Sequence, residues 1–149
     1  MNLLVSRALH TYWRFSRGLT GGVRALVLDG PNVLLVRHSY MEGLHLPGGG
    51  VEVGETFEDA LARELREEAG VGLRSRPELF ALYLNRTVTK RDHVALYVCR
   101  DFERESFTPT PEIREAAFHP LDALPSDATA GTRRRIEEVT GDRPPDPYW

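Results

Sequence analysis

Three glutamates at helical spacing are the residues of this sequence best suited to chemistry. Glu64, Glu67 and Glu68 stand at positions i, i+3 and i+4, so a helix places them on one side. Like charges at these spacings cost about 0.2 to 0.5 kcal/mol per pair, and Arg63 can neutralise only part of that charge. A hard divalent cation such as Mg²⁺ takes oxygen ligands of this kind, and no histidine or cysteine lies among them to favour zinc. The spacing therefore indicates a site for a hard cation.

A glycine-rich loop comes just before these glutamates. Residues 46–54 read LPGGGVEVG, with consecutive glycines at Gly48, Gly49 and Gly50. Glycine adopts positive φ without strain and lets the backbone approach a ligand closely. A phosphate chain and its metal would lie against this loop and the start of the following helix. For an isolated acidic helix, a solvated surface would be the ordinary interpretation. The fixed spacing favours the functional interpretation here.

The helix that carries the glutamates has recognisable ends. Thr56 is suited to the N-cap, and Asp59 supplies the acidic half of a capping box. Gly70 is suited to end the helix. An apolar residue recurs at every fourth position in between and predicts a stripe that packs on a core, formed by Phe57, Leu61 and Leu65.

Residues 49–71 resemble the Nudix box, the motif of a family of metal-dependent pyrophosphohydrolases acting on a nucleoside diphosphate linked to another group X. The fixed positions of that motif are all matched, by Gly49, Glu55, Arg63, Glu64, Leu65, Glu67, Glu68, Gly70 and Val71. The resemblance implies the Nudix fold, an α+β structure in which a mixed β-sheet lies between helices as an α/β/α sandwich. It also implies Mg²⁺ or Mn²⁺ as cofactor and a small nucleotide as substrate, cleaved by attack of metal-activated water on a phosphoryl group.

The resemblance further assigns roles to the box residues. Glu64, Glu67 and Glu68 become the metal ligands, and the Gly48 carbonyl is a fourth candidate. Arg63 and Glu55 become partners that orient the carboxylates, as metal sites generally require.

The general base that the reaction needs is less well defined by the sequence. Within the box, Glu64 or Glu67 could act on the water. Outside it the best candidate is Glu112, in a stretch resembling the family's late loop and strand, and Glu115 is the rival. Either of these two could be a plain surface carboxylate.

Two basic side chains near the glycine loop are candidate contacts to phosphate or base. Arg37 follows a predicted strand and His45 lies just before the loop. Because the family binds substrate across this part of the sheet, the resemblance favours a substrate contact for both. A surface position is the alternative interpretation for each.

The composition indicates one globular core. With 149 residues, of which 41% are hydrophobic, the chain is too short for two ordinary domains. We expect a basic amphipathic helix or arm at 1–19, the Nudix domain at 20–141 and a proline-rich tail at 142–149. No segment is long and apolar enough to span a bilayer.

Charge and cysteine content limit the partners and the compartment. The net charge of −3 gives no general attraction to nucleic acid, so a small nucleotide is the expected partner. The single cysteine, Cys99, lies in an apolar run and is expected to be a buried strand thiol in a reducing cytoplasm.

Residues 2–18 have helical spacing, with arginines away from one apolar face. We expect this helix to pack on its own domain or across a homodimer interface, and contact with a membrane is the less ordinary alternative. The residues near that face are Leu4, Ala8, Tyr12 and Phe15.

The remaining pattern predicts the other elements of the domain. A hairpin is expected from Val23 to Val36, with its turn at residues 29–32, and strands are expected at 79–88 and 94–102. A closing helix is expected at 127–139, with Ile136 and Val139 facing inward and a solvated basic patch at 133–135. The prolines of the tail exclude a helix or a central strand there.

A function of another class is compatible with the same fold. The chain could be a catalytically weak nucleotide-sensing or partner-binding module, because a fold does not fix a function. Such modules commonly lose box glutamates, whereas all are present here. The sequence does not identify which nucleoside diphosphate derivative is bound.

Overall fold

The computed structural model describes residues 3–149. In that range the second and third helices of the chain lie on opposite faces of a mixed β-sheet. The helices are α1 (Leu3–Ser16), α2 (Phe57–Ala69) and α3 (Ala130–Thr140), with a short 3₁₀ turn at Leu121–Ala123. The strands are β1 (Thr20–Asp29), β2 (Asn32–His38), β3 (Val71–Leu73), β4 (Glu78–Leu84), β5 (Asp92–Cys99), β6 (Phe102–Arg104) and β7 (Ile113–Pro120).

The central sheet has five strands in the order β4-β5-β1-β2-β7. β1 pairs parallel with β5, whereas the β1–β2, β2–β7 and β4–β5 pairs are antiparallel. β3 and β6 form a separate antiparallel pair. This mixed sheet between helices confirms the predicted α+β sandwich.

Two cores form because successive side chains of a strand point to opposite faces of the sheet. On one face, Val23 and Ala25 of β1 pack with Leu61 and Leu65 of α2, and all four are buried. On the other face, the neighbouring Leu26 belongs to a second core together with residues of β2, β5 and α3. Helix α2, which carries the glutamates, therefore packs on one face of the sheet, and α3 packs on the other.

Helix α2 begins and ends where its capping residues predict. The Thr56 side chain accepts a hydrogen bond from the Asp59 backbone N–H, and the Asp59 carboxylate accepts one from the Thr56 N–H. Gly70 ends the helix in the left-handed conformation, with φ of +59°. Of the predicted stripe, Leu61 and Leu65 are fully buried, but Phe57 remains 39% exposed because it sits at the helix start, against Gly21.

Three element boundaries differ from those predicted. β4 ends at Leu84 rather than at residue 88, because residues 86–91 form the turn into β5. The run predicted as 94–102 divides into β5 and β6, which belong to different sheets. α3 begins after Thr129, whose side chain caps the helix at the Thr132 N–H.

The basic patch predicted at 133–135 is not wholly solvated. Arg135 is fully buried, and its guanidinium lies 2.9 Å from the equally buried carboxylate of Glu138. Ile136 is buried and Val139 is partly buried, as predicted. The prediction was wrong at Arg135 because the ring of Tyr83 and the carbonyl of Tyr148, both distant in sequence, help Glu138 of the same helix to enclose its side chain.

The described part of α1 does not bury its predicted apolar face against the domain. Tyr12 is 66% exposed and Phe15 is 74% exposed. The side chains of Leu4 and Ala8 lie outside those described, as does residue 2 altogether. Arg91 of the β4–β5 turn donates to the carbonyl oxygens of Phe15 and Gly18. Within residues 3–149 no helix is long and apolar enough to cross a membrane.

Candidate active site

Four glutamates from two parts of the chain line one cleft of about 320 Å³, which we call the glutamate cleft. Three of them are on α2, and the fourth comes from the loop that leads into β7. The lining residues are Glu64, Glu67, Glu68, Thr110, Pro111, Glu112 and Ile113. The structure therefore brings the three box glutamates together with Glu112, as the sequence-based hypothesis for the base requires.

Glu68 is the most enclosed of these carboxylates. It is only 7% exposed, and its Oε2 atom accepts a hydrogen bond of 2.8 Å from the backbone N–H of Gly48. Burial raises the pKa of Glu68 to about 7, while the Gly48 hydrogen bond and the charge of Arg24 oppose that rise. Burial thus makes the ionised form of Glu68 costly, and a cation in the adjacent cleft would stabilise that ionised form.

Arg63 connects the helix to the loop before it. Its Nε and Nη2 atoms donate to the two oxygens of Glu55 at 2.9 Å and 3.0 Å, a bidentate pair. Nη1 donates to Glu64 at 2.7 Å and lies 3.4 Å from a Glu67 oxygen, and Nη2 also donates to the Gly50 carbonyl. These hydrogen bonds lower the pKa of Glu55 and raise that of Arg63.

The cleft offers carboxylate oxygens, the kind of donor atom that a hard cation prefers. Two of these carboxylates, Glu64 and Glu67, also contact Arg63. All the ionisable lining groups are carboxylates, the ligands that Mg²⁺ prefers. Among residues 3–149, no three histidine, cysteine, aspartate or glutamate side chains converge closely enough to enclose one ion. Glu64 and Glu67 each approach Arg63 with one carboxylate oxygen, so the second oxygen of each would be available to a metal ion while Arg63 keeps its bidentate pair with Glu55.

Two glycines of the loop lie very close to neighbouring elements. Gly48 has φ of +143°, and a Cβ atom there would lie 2.0 Å from the carbonyl oxygen of Val23. A Cβ atom on Gly49 would lie 2.3 Å from Oε1 of Glu64. A Cβ atom on Gly50 would meet nothing within 4 Å. The loop thus needs glycine at Gly48, where the clash is with backbone and φ is positive, whereas the atoms near Gly49 are the movable end of the Glu64 side chain.

The Gly48 carbonyl, a candidate metal ligand, already has a partner. Arg24 of β1 donates through Nη1 to this oxygen at 2.8 Å and to the Leu46 oxygen at 3.1 Å. A carbonyl oxygen has two lone pairs, so one acceptor site remains. The sequence analysis assigns no role to Arg24, because the position of an arginine in a predicted strand does not show which distant residues it contacts.

Arg37 does not line the glutamate cleft. It lies 3.1 Å from Glu115 and 2.7 Å from Asp127, measured from nitrogen to carboxylate oxygen, and lines a different cleft beside Tyr40. The Arg37 guanidinium holds the pKa of Asp127 below its usual range. Both Arg37, the candidate substrate contact, and Glu115, the rival base, are therefore engaged with each other.

His45 lies on the sheet side of the loop, next to a second histidine. Its Nε2 atom donates to the Glu42 carbonyl at 2.8 Å, and its ring stands edge-on to that of His38 with centroids 5.7 Å apart. His38 is 4% exposed, and its Nε2 atom is 3.7 Å from Glu68 Oε1, beyond hydrogen-bond distance. Burial lowers the pKa of His38 to about 4, so the ring is neutral at pH 7. His38 was assigned no role from the sequence, because its contact with Glu68 joins distant residues.

Comparison with known proteins places the chain in a family. The family model of the NUDIX domain matches residues 18–139, so this chain belongs to the NUDIX domain family. A protein of Methanocaldococcus jannaschii named ADP-ribose pyrophosphatase is 35% identical over 81 residues. That match covers 54% of this chain and 47% of the relative, so the chain spans about half the length of the curated relative that it matches.

Solved structures show the same fold. A MutT NUDIX hydrolase from Burkholderia pseudomallei is 25% identical, with a TM-score of 0.70 over 80% of this chain and 97% of the other. An ADP-ribose pyrophosphatase from Streptococcus suis is 24% identical, with a TM-score of 0.61 over 81% of this chain and 91% of the other. The second similarity concerns the fold alone.

Proposed function

We propose that this chain hydrolyses the pyrophosphate link of a nucleoside diphosphate joined to another moiety, and that a divalent metal ion is required. The observation that carries the proposal is the glutamate cleft, where the three box glutamates of α2 meet Glu112 from a distant loop. Family membership and the curated relative named ADP-ribose pyrophosphatase support the same class of reaction.

In this proposal Glu64, Glu67 and Glu68 hold Mg²⁺ or Mn²⁺. The bound ion would neutralise phosphate charge and make a nearby water more acidic. Glu68 is fixed for this task by the Gly48 N–H, and Arg63 is fixed by Glu55 so that it can orient Glu64 and Glu67. Groups that would not touch the metal thus position the ligands, as in metal sites generally.

Glu112 is the general base that we favour for the attacking water. It lines the cleft, whereas Glu115 is paired with Arg37 outside it. The loop that carries Glu112 is held by the Thr110 hydroxyl, which accepts from the Ile113 N–H at 3.0 Å. In this assignment a carboxylate outside the metal-ligand set removes the proton, so that Glu64 and Glu67 remain free to bind the cation.

The substrate's phosphates lie along Gly48, Gly49 and Gly50 in this proposal. The absence of side chains there lets a phosphate approach the backbone beside Glu64. The net charge of −3 supports a small nucleotide rather than a nucleic acid, and the buried Cys99 supports a reducing cytoplasm. Salt-sensitive binding of single-stranded RNA by the pure protein would contradict that preference.

The experiment that tests the function is a substrate panel. Phosphate or nucleotide release is measured with Mg²⁺ or Mn²⁺ for nucleoside triphosphates, oxidised nucleotides, ADP-ribose, nucleotide sugars and dinucleoside polyphosphates. The variant Glu68→Gln is compared with wild type, and Glu103→Gln, an exposed surface change, is the control. We expect turnover of at least one substrate that Glu68→Gln loses and Glu103→Gln keeps.

One observation favours a second candidate, a nucleotide-sensing module. Arg63 contacts two of the four cleft glutamates, Glu64 and Glu67, so the protein itself neutralises part of the negative charge that a catalytic metal would meet. A sensor would bind nucleotide without cleaving it. Saturable nucleotide binding together with no turnover on any panel member would support the sensor and overturn the hydrolase.

A further inference from the structure

A second cleft lies beside the glycine loop, and its lining includes one aromatic residue, Trp149. Its volume is about 390 Å³, and we call it the tryptophan cleft. Its lining includes Gly21 and Gly22 of β1, the loop glycines Gly49 and Gly50, and Trp149, whose indole also packs edge-on against Tyr83. Asn85 and Asp92 add an amide and a carboxylate to the same cleft. The cleft therefore combines bare backbone, one large ring and a few hydrogen-bonding groups.

Trp149 is held in place through its backbone. The proline-rich segment 142–149 runs back along the edge of β4, where the Leu84 N–H donates to the Pro147 oxygen at 2.9 Å. The Trp149 N–H donates to the Leu84 oxygen at 3.2 Å, which forms a short parallel bridge. This edge pairing holds the backbone of Trp149 beside the end of β4, next to the cleft.

The buried ion pair Arg135–Glu138 holds the same segment through two hydrogen bonds. Arg135 donates to the Tyr148 carbonyl at 3.1 Å, and Glu138 accepts from the Asp146 N–H at 3.1 Å. Both charged side chains are fully buried, and the Arg135 guanidinium also lies 5.2 Å from the centre of the indole. The buried pair thereby ties the backbone of residues 146 and 148 to α3.

The tryptophan cleft adjoins the glutamate cleft. Gly49 lines the first, and a Cβ atom on Gly49 would lie 2.3 Å from the Glu64 carboxylate, which lines the second. A molecule with phosphates at the glutamates would therefore extend across the glycine loop towards Trp149. The group attached to the phosphates would meet a partly buried ring rather than charged side chains alone.

We propose that the indole of Trp149 is the stacking surface for the nucleobase of the substrate, and that the backbone pairing of segment 142–149 with β4 keeps Trp149 at the cleft. This inference rests on the proposed function for the identity of the phosphate side. Bases of every type have a π-face, so stacking gives affinity without selecting one base strongly. Asn85 and Asp92 supply the groups that would distinguish bases or ribose hydroxyls by hydrogen bonding.

The test uses the fact that the chain has two tryptophans, Trp13 and Trp149. Trp13 lies on α1 and is 41% exposed, so Trp13→Phe leaves a protein whose indole fluorescence reports Trp149 alone. Nucleoside monophosphates and ribose 5-phosphate are titrated into this variant. We expect saturable quenching by the monophosphates and none by ribose 5-phosphate, because only the former carry a base.

A matched set of variants separates stacking from packing. Trp149→Leu keeps an apolar side chain against Tyr83 and Arg135 but removes the planar ring. Tyr148→Ala is the control, because the neighbouring ring is exposed and stacks on Arg86 while only its backbone contacts Arg135. We expect Trp149→Leu to raise KM about tenfold or more with kcat changed less than twofold, and Tyr148→Ala to change neither by more than about twofold.

The two proposals fail in distinguishable ways. Unchanged KM in a folded Trp149→Leu protein, together with no base-dependent quenching, would overturn the role of Trp149 and leave the hydrolase intact. Quenching by monophosphates in a protein that turns over no substrate would support the stacking surface while the hydrolase fails. Circular dichroism of each variant checks that the fold is retained.

Discussion

Glu112 and Glu115 are three positions apart, yet their surroundings give them different expected roles. Glu112 lines the glutamate cleft, whereas Glu115 is held 3.1 Å from Arg37. If Glu112 is the general base, Glu112→Gln lowers kcat by about 10²-fold or more, the usual contribution of such a group. Glu115→Gln changes kcat by less than about threefold. Steady-state kinetics on the best panel substrate measures both, and the reverse order of effects would contradict the assignment.

Cys99 is predicted to be unreactive while the protein is folded. The thiol is buried in β5, and burial raises its pKa to about 12, so the thiolate is scarce at pH 8. We expect an aromatic disulfide reagent to label native protein at least about 10²-fold more slowly than protein unfolded in guanidinium. Equal labelling rates in the two states would show that β5 opens readily or that Cys99 is exposed.

At this scale the sequence could predict residues that lie within one motif. The box glutamates, Glu55 and the capping pair Thr56 and Asp59 are contiguous, so spacing alone indicates their relations. Arg24 and His38 are different, because each contacts the site across long sequence separations. No local pattern records such a contact.

At the scale of elements, the glycine loop must pass close to β1, and this demands glycine at one position. Gly48→Ala places a Cβ atom 2.0 Å from the Val23 oxygen and strains a positive φ. We expect a loss of at least about 2 kcal/mol in the free energy of unfolding. Gly50→Ala is the control, since its Cβ would meet open space, and should cost less than about 1 kcal/mol.

Urea unfolding followed by circular dichroism measures both variants. If Gly48→Ala unfolds at the same urea concentration as Gly50→Ala, the loop can move away from β1 and the close approach is not required. Gly48 would then no longer be a fixed donor to Glu68, because that hydrogen bond depends on the same loop position.

Elements were predictable where their ends carry local signals. α2 begins at its capping box and ends at Gly70, and the β1–β2 hairpin turns at residues 29–32, as predicted. The end of β4 was not predictable in the same way, because the β-branched Thr87 and Val88 still favour a strand past Leu84, whereas the pairing with β5 stops there. Pairing with a distant strand decides that boundary.

At the scale of the whole molecule, the buried pair Arg135–Glu138 joins α3, β4 and segment 142–149. Glu138 also accepts a hydrogen bond of 2.6 Å from the Tyr83 hydroxyl. Glu138→Gln leaves the Arg135 charge buried without its partner, so we expect a loss of about 3 to 5 kcal/mol in the free energy of unfolding. Glu137→Gln is the matched control, because that neighbour forms only a surface pair with Arg143.

Thermal or urea unfolding compares these two variants. We expect Glu137→Gln to lie within about 1 kcal/mol of wild type. Equal stability of the two variants would show that segment 142–149 does not depend on the buried pair. In that case the position of Trp149 would depend on the pairing with β4 and on the hydrogen bond from Arg134 to its backbone oxygen.

The whole fold could be predicted from the resemblance of one motif, but the outer segments could not. The proline-rich tail carried no sign that residues 142–149 pair with Leu84, because an isolated bridge needs no strand pattern. The partner of α1 was likewise not predictable, since Tyr12 and Phe15 form an apolar face that the described domain leaves exposed. Packing of that face across a homodimer interface stays a prediction, and contact with a membrane stays its alternative.

Metal dependence of turnover is the most direct test of the central claim, that the glutamate cleft is a metal-dependent hydrolytic site. Protein stripped with EDTA is titrated with Mg²⁺ while hydrolysis of the best panel substrate is followed, for wild type and for Glu67→Gln. We predict no turnover without metal, saturable recovery in wild type, and a weaker or absent recovery in Glu67→Gln. Full turnover in EDTA, or identical Mg²⁺ curves for the two proteins, would contradict the claim.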